Sequence, residues 1–203
     1  MSNLDEDKLK EARDFYVDRI KGWMVSDLKK SLDAGTNFLT ALGCLVYTEI
    51  IGTFLPSLEN ENGTIKSRRF YRCFYRLGSA EYLKQVDTII VKETRKNLYE
   101  HLRHNMAHKY YPAISKRHGN IVLFLPLVIA RKGIRYDRRT GKRTDAPPVF
   151  VDNDDRVVIA SRNFVKELEQ AVEDFYVATF EKNDTEFQRA AINGADVVLR
   201  GQP

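Results

Sequence analysis

Residues 38–55 read FLTALGCLVYTEIIGTFL. Phe38, Leu39, Leu42, Leu45, Val46, Ile50 and Phe54 are apolar on more than one side of a helix, so the segment predicts a helix surrounded by other elements. A membrane span is the other structure that such a run suggests. Thr40, Thr48, Glu49 and Thr53 interrupt it, however, and a carboxylate at mid-span is costly in lipid. The reading is a buried helix at the centre of a bundle. Glu49 then needs a partner. The candidates are a buried salt bridge to an arginine, Arg103 among them, or a supporting place at a functional cleft.

On the N-terminal side, residues 5–23 place Leu9, Ala12, Tyr16, Ile20 and Trp23 at spacings of three and four, one stripe of an amphipathic helix. Ser31 or Asp33 is the expected cap of the central helix. On the other side, Pro56 and the ENENG run ending at Gly63 predict a polar loop, and a third helix follows from about Ile65 to Leu77. A turn at Glu81 to Leu83 precedes a long helix carrying Val86, Ile89, Ile90, Leu98 and Leu102, which ends near His108.

Beyond Pro112 the period changes. IVLFLPLVIA at 121–130, PPVFV at 147–151 and RVVIA at 156–160 are rich in β-branched residues and predict two or three strands of an antiparallel hairpin or small sheet. Pro126 suggests an edge position or a bulge in the first of them. Ser161 opens a last long helix to about Phe180, residues 184–192 add a short one, and the end is expected to be loose. The fold class expected is mainly α, an antiparallel helical bundle with a β-hairpin insertion before the last long helix. The 203 residues suit one domain, with a helical bundle at 5–112, the insertion at 113–160 and C-terminal helices at 161–192.

Charged residues at 30% and hydrophobic ones at 43% fit an ordinary globular chain rather than a disordered or membrane one. Cys44 and Cys73 are too few for a disulfide framework or a four-cysteine zinc site. The opening MSNLDEDKLKEARDF is acidic where a secretory signal is basic and then apolar. A cytoplasmic protein with no membrane partner is expected.

Chemistry concentrates in residues 102–111, LRHNMAHKYY. Arg103 is always charged and can fork two donors onto a phosphate, and five places later His108 can move a proton near neutral pH. Together they suffice for phosphodiester cleavage without a metal or other cofactor. Asn105 lies between them and offers an amide to a phosphate oxygen or to His108, and Tyr110 offers a phenol at the rim. On a straight helix, residues five apart are about 140° out of line, so Arg103 and His108 need help to converge. The bland reading pairs Arg103 with an acid and packs His108 against Tyr110 and Tyr111.

This segment resembles the Arg-x4-His signature of the HEPN (higher eukaryotes and prokaryotes nucleotide-binding) family of helical domains, and Arg103-x4-His108-x-Tyr110 is similar to the pattern of HepT-type toxins. The resemblance in arrangement covers residues 5–112 and a late helix; the 113–160 insertion is outside the minimal family domain. It implies a homodimer in which two motif helices face each other across a twofold axis. It also implies an endoribonuclease that uses His108 as base on a 2′-hydroxyl and Arg103 as phosphoryl clamp, leaving a 2′,3′-cyclic phosphate. A role in defence or as a toxin follows from the same resemblance, as does nucleotidylation of Tyr110 by a nucleotidyltransferase partner. Two other readings compete: a non-catalytic RNA- or nucleotide-binding HEPN module, and a protein-interaction domain without ligand.

Three further features bear on partners. His101, His104 and His108 form one helical stripe that could share a metal ion or simply face solvent or a dimer mate, with His104 in a supporting place under the nuclease reading; no complete metal shell is visible. Arg68, Arg72 and Arg76 recur every four residues beside Phe70 and Phe74, which suits RNA backbone and base stacking, or a solvated arginine face over a packed aromatic one. Arg131, Lys132, Arg135, Arg138, Arg139, Lys142 and Arg143 stand against Asp137 alone, as a basic hairpin tip that can contact phosphates or merely aid solubility.

Overall fold

The computed structural model of the chain describes residues 3–59, 61–94, 97–100, 113–118, 121–130, 134–136, 143–145, 147–151 and 157–201. It is mainly helical. Its helices are α1 (Asn3–Phe15), α2 (Val25–Asp33), α3 (Asn37–Gly52), α4 (Ile65–Phe74), α5 (Ala80–Thr94), α6 (Ser161–Tyr176) and α7 (Thr185–Arg200), with π-helical stretches at Tyr16–Met24 and Val177–Glu181. Its strands are β1 (Ala113–His118), β2 (Ile121–Ala130), β3 (Ile134–Tyr136), β4 (Arg143–Asp145), β5 (Val149–Val151) and β6 (Val157–Ala160). Among the described residues no helix is long and apolar enough to cross a membrane. The chain divides into two compact units, Met1–Asp27 with Tyr47–Gly78 and Leu168–Pro203, and Leu28–Val46 with Ser79–Glu167.

In the first unit the expected N-terminal stripe holds at Ala12, Tyr16 and Ile20, all fully buried, and fails at Trp23, which is 54% exposed. Met24 is buried in its place. The cause is the π-helical stretch, in which the Val25 N–H bonds to the Ile20 carbonyl, five residues back. The wider turn delays the phase of the apolar face, so a spacing of four replaces the spacing of three. The helix also runs on to Asp33, since nothing between Trp23 and Asp33 breaks it; Gly35, at φ 77°, marks the end.

The Tyr16 ring packs against Phe54, Phe175 and Phe180, with centroids 6.1, 4.7 and 6.1 Å away. Its hydroxyl donates to the Val172 carbonyl at 3.0 Å, so the one polar atom of this aromatic core is satisfied. Asp184 caps α7 by accepting the Glu186 and Phe187 N–H groups at 3.0 and 3.3 Å. α7 is a full helix to Arg200 rather than a short one with a loose end. It lies along α1, where Lys8 pairs with Asp196 at 3.3 Å and Arg200 bonds both Glu11, at 2.6 Å, and Asp196. Gly194 permits the close packing of α7, because a Cβ there would sit 2.8 Å from both the Phe54 ring and the Thr53 carbonyl. Gly52 does the same between α3 and α4: its Cβ would overlap the Arg69 carbonyl.

In the second unit, Thr36 rather than Ser31 or Asp33 precedes α3, because α2 continues through both of those residues. The Thr36 carbonyl accepts the Thr40 N–H at 2.9 Å, and the Ser31 hydroxyl instead bonds the Thr36 and Thr40 hydroxyls at 2.6 and 2.9 Å. Four strands form a sheet in the order β1-β2-β6-β5, and β3 and β4 form a separate two-stranded ribbon. β1 is antiparallel to β2 and β5 to β6, but β2 and β6 run parallel, which the expected antiparallel hairpin did not include. A parallel pair needs a long crossover. Here it contains the ribbon and β5. Pro126 sits where β2 changes partners: residues 121–126 pair with β1 and residues 127–130 with β6. Pro126 has no N–H to give to a ladder, and it stands at this change of partner.

α5 packs across β1 and β5. Leu83, Val86 and Ile90 of α5 are buried, and Phe150, Val158 and Ala160 form a cluster against which Tyr82 packs. At the start of α5 the Ser79 N–H and hydroxyl both donate to the Glu167 carboxylate, at 2.9 and 2.5 Å. The turn expected at Glu81 to Leu83 is therefore already helix.

Candidate functional site

The segment expected to carry the chemistry, residues 101–112, lies outside the described residues, and with it Arg103, His104, Asn105, His108 and Tyr110. The structure does define how the chain enters it. α5 ends at Thr94, Asn97 is not helical, and a new helical start follows at Leu98. One continuous helix from Val86 to His108 was expected, and Asn97 is the reason it is not found. Its side-chain oxygen accepts the Glu100 N–H at 3.0 Å, and the Asp87 carboxylate accepts the Leu98 N–H at 2.8 Å. These two acceptors satisfy the orphan donors of a new helix N-terminus. Leu98 is fully buried and Tyr99 nearly so, which anchors the residues just before the motif. The sequence signal was available in Asn97 itself, a capping residue three places before Glu100.

α4 carries the arginine series. Thr64 caps it by accepting the Ser67 N–H at 3.3 Å, and Phe70, Cys73 and Phe74 are buried on its inner side. Arg68, Arg72 and Arg76 are all half-buried rather than fully solvated. Arg72 forks onto Glu61, with Nε 2.5 Å from Oε1 and Nη2 2.7 Å from Oε2, and Oε1 also accepts the Leu58 N–H at 2.8 Å. The Arg76 Nη1 donates to the Arg72 carbonyl at 2.8 Å. Arg68 Nε is buried without a hydrogen-bond partner among the described residues.

Burial disfavours the charged form of Glu61, but the Arg72 and Leu58 hydrogen bonds outweigh it and hold the carboxyl below the usual carboxylate range. Burial lowers Arg76 from the ordinary arginine value. Two of the three arginines thus have donors committed inside the protein. Glu61, eleven residues from Arg72 and within the loop read only as polar, is the partner that sequence reasoning missed.

Glu49 is half-buried on α3, and its carbonyl accepts the Thr53 hydroxyl at 3.3 Å. Cys44 and Cys73 are free and buried. Burial raises both thiols, Cys73 to about 12, so neither is a thiolate nucleophile near neutral pH. Among the described residues no group of three or more histidine, cysteine or acidic side chains is placed to hold a metal ion. Of the basic arm, Arg135 stands in β3 across from Thr144 and Arg143 in β4 across from Tyr136, whereas Arg131, Lys132, Arg138, Arg139 and Lys142 lie outside the described residues. No protein-family model, curated protein sequence or solved structure matches the chain.

Proposed function

We propose that this chain is a metal-independent endoribonuclease of HEPN type that acts as a homodimer. The observation that carries the reading is Arg103-x4-His108, with Asn105 inside it and Tyr110 beyond, directly after a helical start capped by Asn97 and Asp87. The mainly helical fold is in keeping with a HEPN-like bundle. In this reading, two copies of Arg103 and His108 meet in one groove between subunits. His108 takes the proton of a ribose 2′-hydroxyl as that oxygen attacks the adjacent phosphorus, and Arg103 stabilises charge on the phosphoryl oxygens. The 5′-oxygen leaves with a proton, delivered by the second histidine, and the product ends in a 2′,3′-cyclic phosphate. A role as a toxin or in defence, with Tyr110 open to nucleotidylation by a partner enzyme, belongs to the same reading.

The test is incubation of the protein with mixed RNA in excess chelator beside Arg103→Ala and His108→Ala variants. Cleavage by the parent to cyclic-phosphate ends, abolished in both variants, supports the nuclease. Binding without cleavage replaces it with a non-catalytic RNA-binding module, and the absence of both replaces it with a protein-interaction domain.

A further inference from the structure

Near the N-terminus, acidic residues recur at a helical interval. Asp7, Glu11 and Asp14 stand on α1 and Asp18 on the π-helical stretch that continues it, at spacings of four, three and four. On a regular helix that interval sets them within about 60° of one another, along about 16 Å. All four are exposed, and they border a groove of about 590 Å³ whose apolar surface is Phe15 of α1 and Leu199 of α7. Lys10 and Arg19 also border it, so acids outnumber bases there by four to two on a chain whose net charge is +5.

The groove is built before anything enters it. Arg200 bonds Glu11 at 2.6 Å and Lys8 bonds Asp196 at 3.3 Å, which fastens α7 to α1, and Phe15 stacks on Phe54 with ring centroids 5.6 Å apart. Leu199 nonetheless stays 44% exposed. Glu11 has Arg200, but Asp7, Asp14 and Asp18 enter no hydrogen bond or ion pair among the described residues.

Charge and shape together restrict the occupant. Carboxylates repel RNA and an anionic membrane surface, and a twofold mate would set one acidic stripe against another. The carboxylates are strung along the helix rather than gathered, and among the described residues no group of three or more acidic, histidine or cysteine side chains is placed to hold a metal ion. A partner whose cations recur at the same interval, with apolar residues beside them, meets both the carboxylates and the Phe15–Leu199 surface. An amphipathic helix has that interval by its own geometry.

We infer that the α1–α7 groove docks a lysine- or arginine-bearing amphipathic helix of a partner protein. The partner's cations pair with Asp7, Asp14 and Asp18, and its apolar stripe covers Leu199. This docking uses none of Arg103, Asn105 or His108, so it stands apart from the nuclease reading.

The probe is a fluorescein-labelled peptide of leucine and lysine, with lysines at the four-three-four interval and leucines on the adjoining face. It is titrated with the full chain and followed by anisotropy. The peptide should bind, gain helical circular dichroism on binding, and weaken as salt rises. Asp7→Asn, Asp14→Asn and Asp18→Asn together should weaken it about tenfold, since each exposed pair contributes little alone. Leu199→Ser should weaken it about fivefold through lost apolar contact. Neutralising Asp33, Glu59 and Glu181, three exposed acids outside the groove, should change affinity by less than about twofold. Unfolding midpoints equal to the parent's show that a loss of affinity is not a loss of fold.

Absence of binding overturns the inference, as does equal weakening in the control set. Equal affinity for a peptide of the same composition with its lysines off the interval overturns it as well. Spermine bound more tightly than the peptide, and undiminished by Leu199→Ser, replaces the partner helix with a small polyamine.

Discussion

Removing the charge of Glu61 should destabilise the unit that contains it by much more than a surface ion pair would. The pair with Arg72 is bidentate, and the two side chains are only 9% and 20% exposed. Exposed pairs contribute about 0.2–1 kcal/mol, whereas breaking a buried pair by removing one partner costs about 3–5 kcal/mol because the remaining charge is left unpaired. This geometry lies nearer the second limit, and the Leu58 N–H loses its charged acceptor as well. Glu61→Gln should cost about 2–4 kcal/mol at pH 7. Glu61→Gln with Arg72→Met should cost less than the sum of the two single changes, with a coupling of about 1.5–3 kcal/mol.

The pH dependence follows from the depressed carboxyl. The unfolded chain holds the Glu61 proton more readily than the folded one, so the contribution is complete above the unfolded pKa, about 4.3, and disappears as pH falls through the lower folded value. Urea unfolding monitored by far-UV circular dichroism at pH 7 and at stepwise lower pH measures both effects. A penalty under about 1 kcal/mol, a vanishing coupling, or a penalty that persists undiminished in acid would refute the argument.

Two other outcomes follow from close geometry. Gly52→Ala should destabilise by about 3 kcal/mol or more, since the new methyl would overlap the Arg69 carbonyl and backbone must move, with thermal unfolding as the measurement. Asn97→Ala should cost about 1 kcal/mol and speed amide exchange at Glu100, whose N–H loses its acceptor, while Asn97→Asp should retain most of the protection.

A helix was legible in residues 38–55 from their apolar run, although it ends at Gly52 and Leu39, expected among its covered residues, is 59% exposed, and the change of period after Pro112 marked the strands. What escaped notice depends on geometry that side-chain spacing does not encode. Trp23 fits a period of 3.6 with Tyr16 and Ile20, and only the five-residue bond from Val25 to Ile20 reveals that Met24 takes the buried place. The expected short helix at 184–192 with a loose end is a full helix to Arg200, and the close approach of Phe54 at Gly194 is a packing feature that spacing does not encode. The parallel pairing of β2 with β6 depends on the path of the intervening chain, and the Glu61–Arg72 pair spans a loop with no local signal. Of the candidate site, the capped entry at Asn97 is in view, and the Arg103 to Tyr110 segment beyond it lies outside the described residues.

The pairing of α1 with α7 sets an order of events during synthesis. α1 leaves the ribosome long before α7, so Lys8 and Glu11 meet Asp196 and Arg200 only after everything between them has been translated. Until then the buried face of α1 around Ala12 lacks its mate, and the nascent polypeptide carries an uncovered apolar stripe. Messages truncated before codon 185 should therefore yield products that chaperones retain or proteases remove.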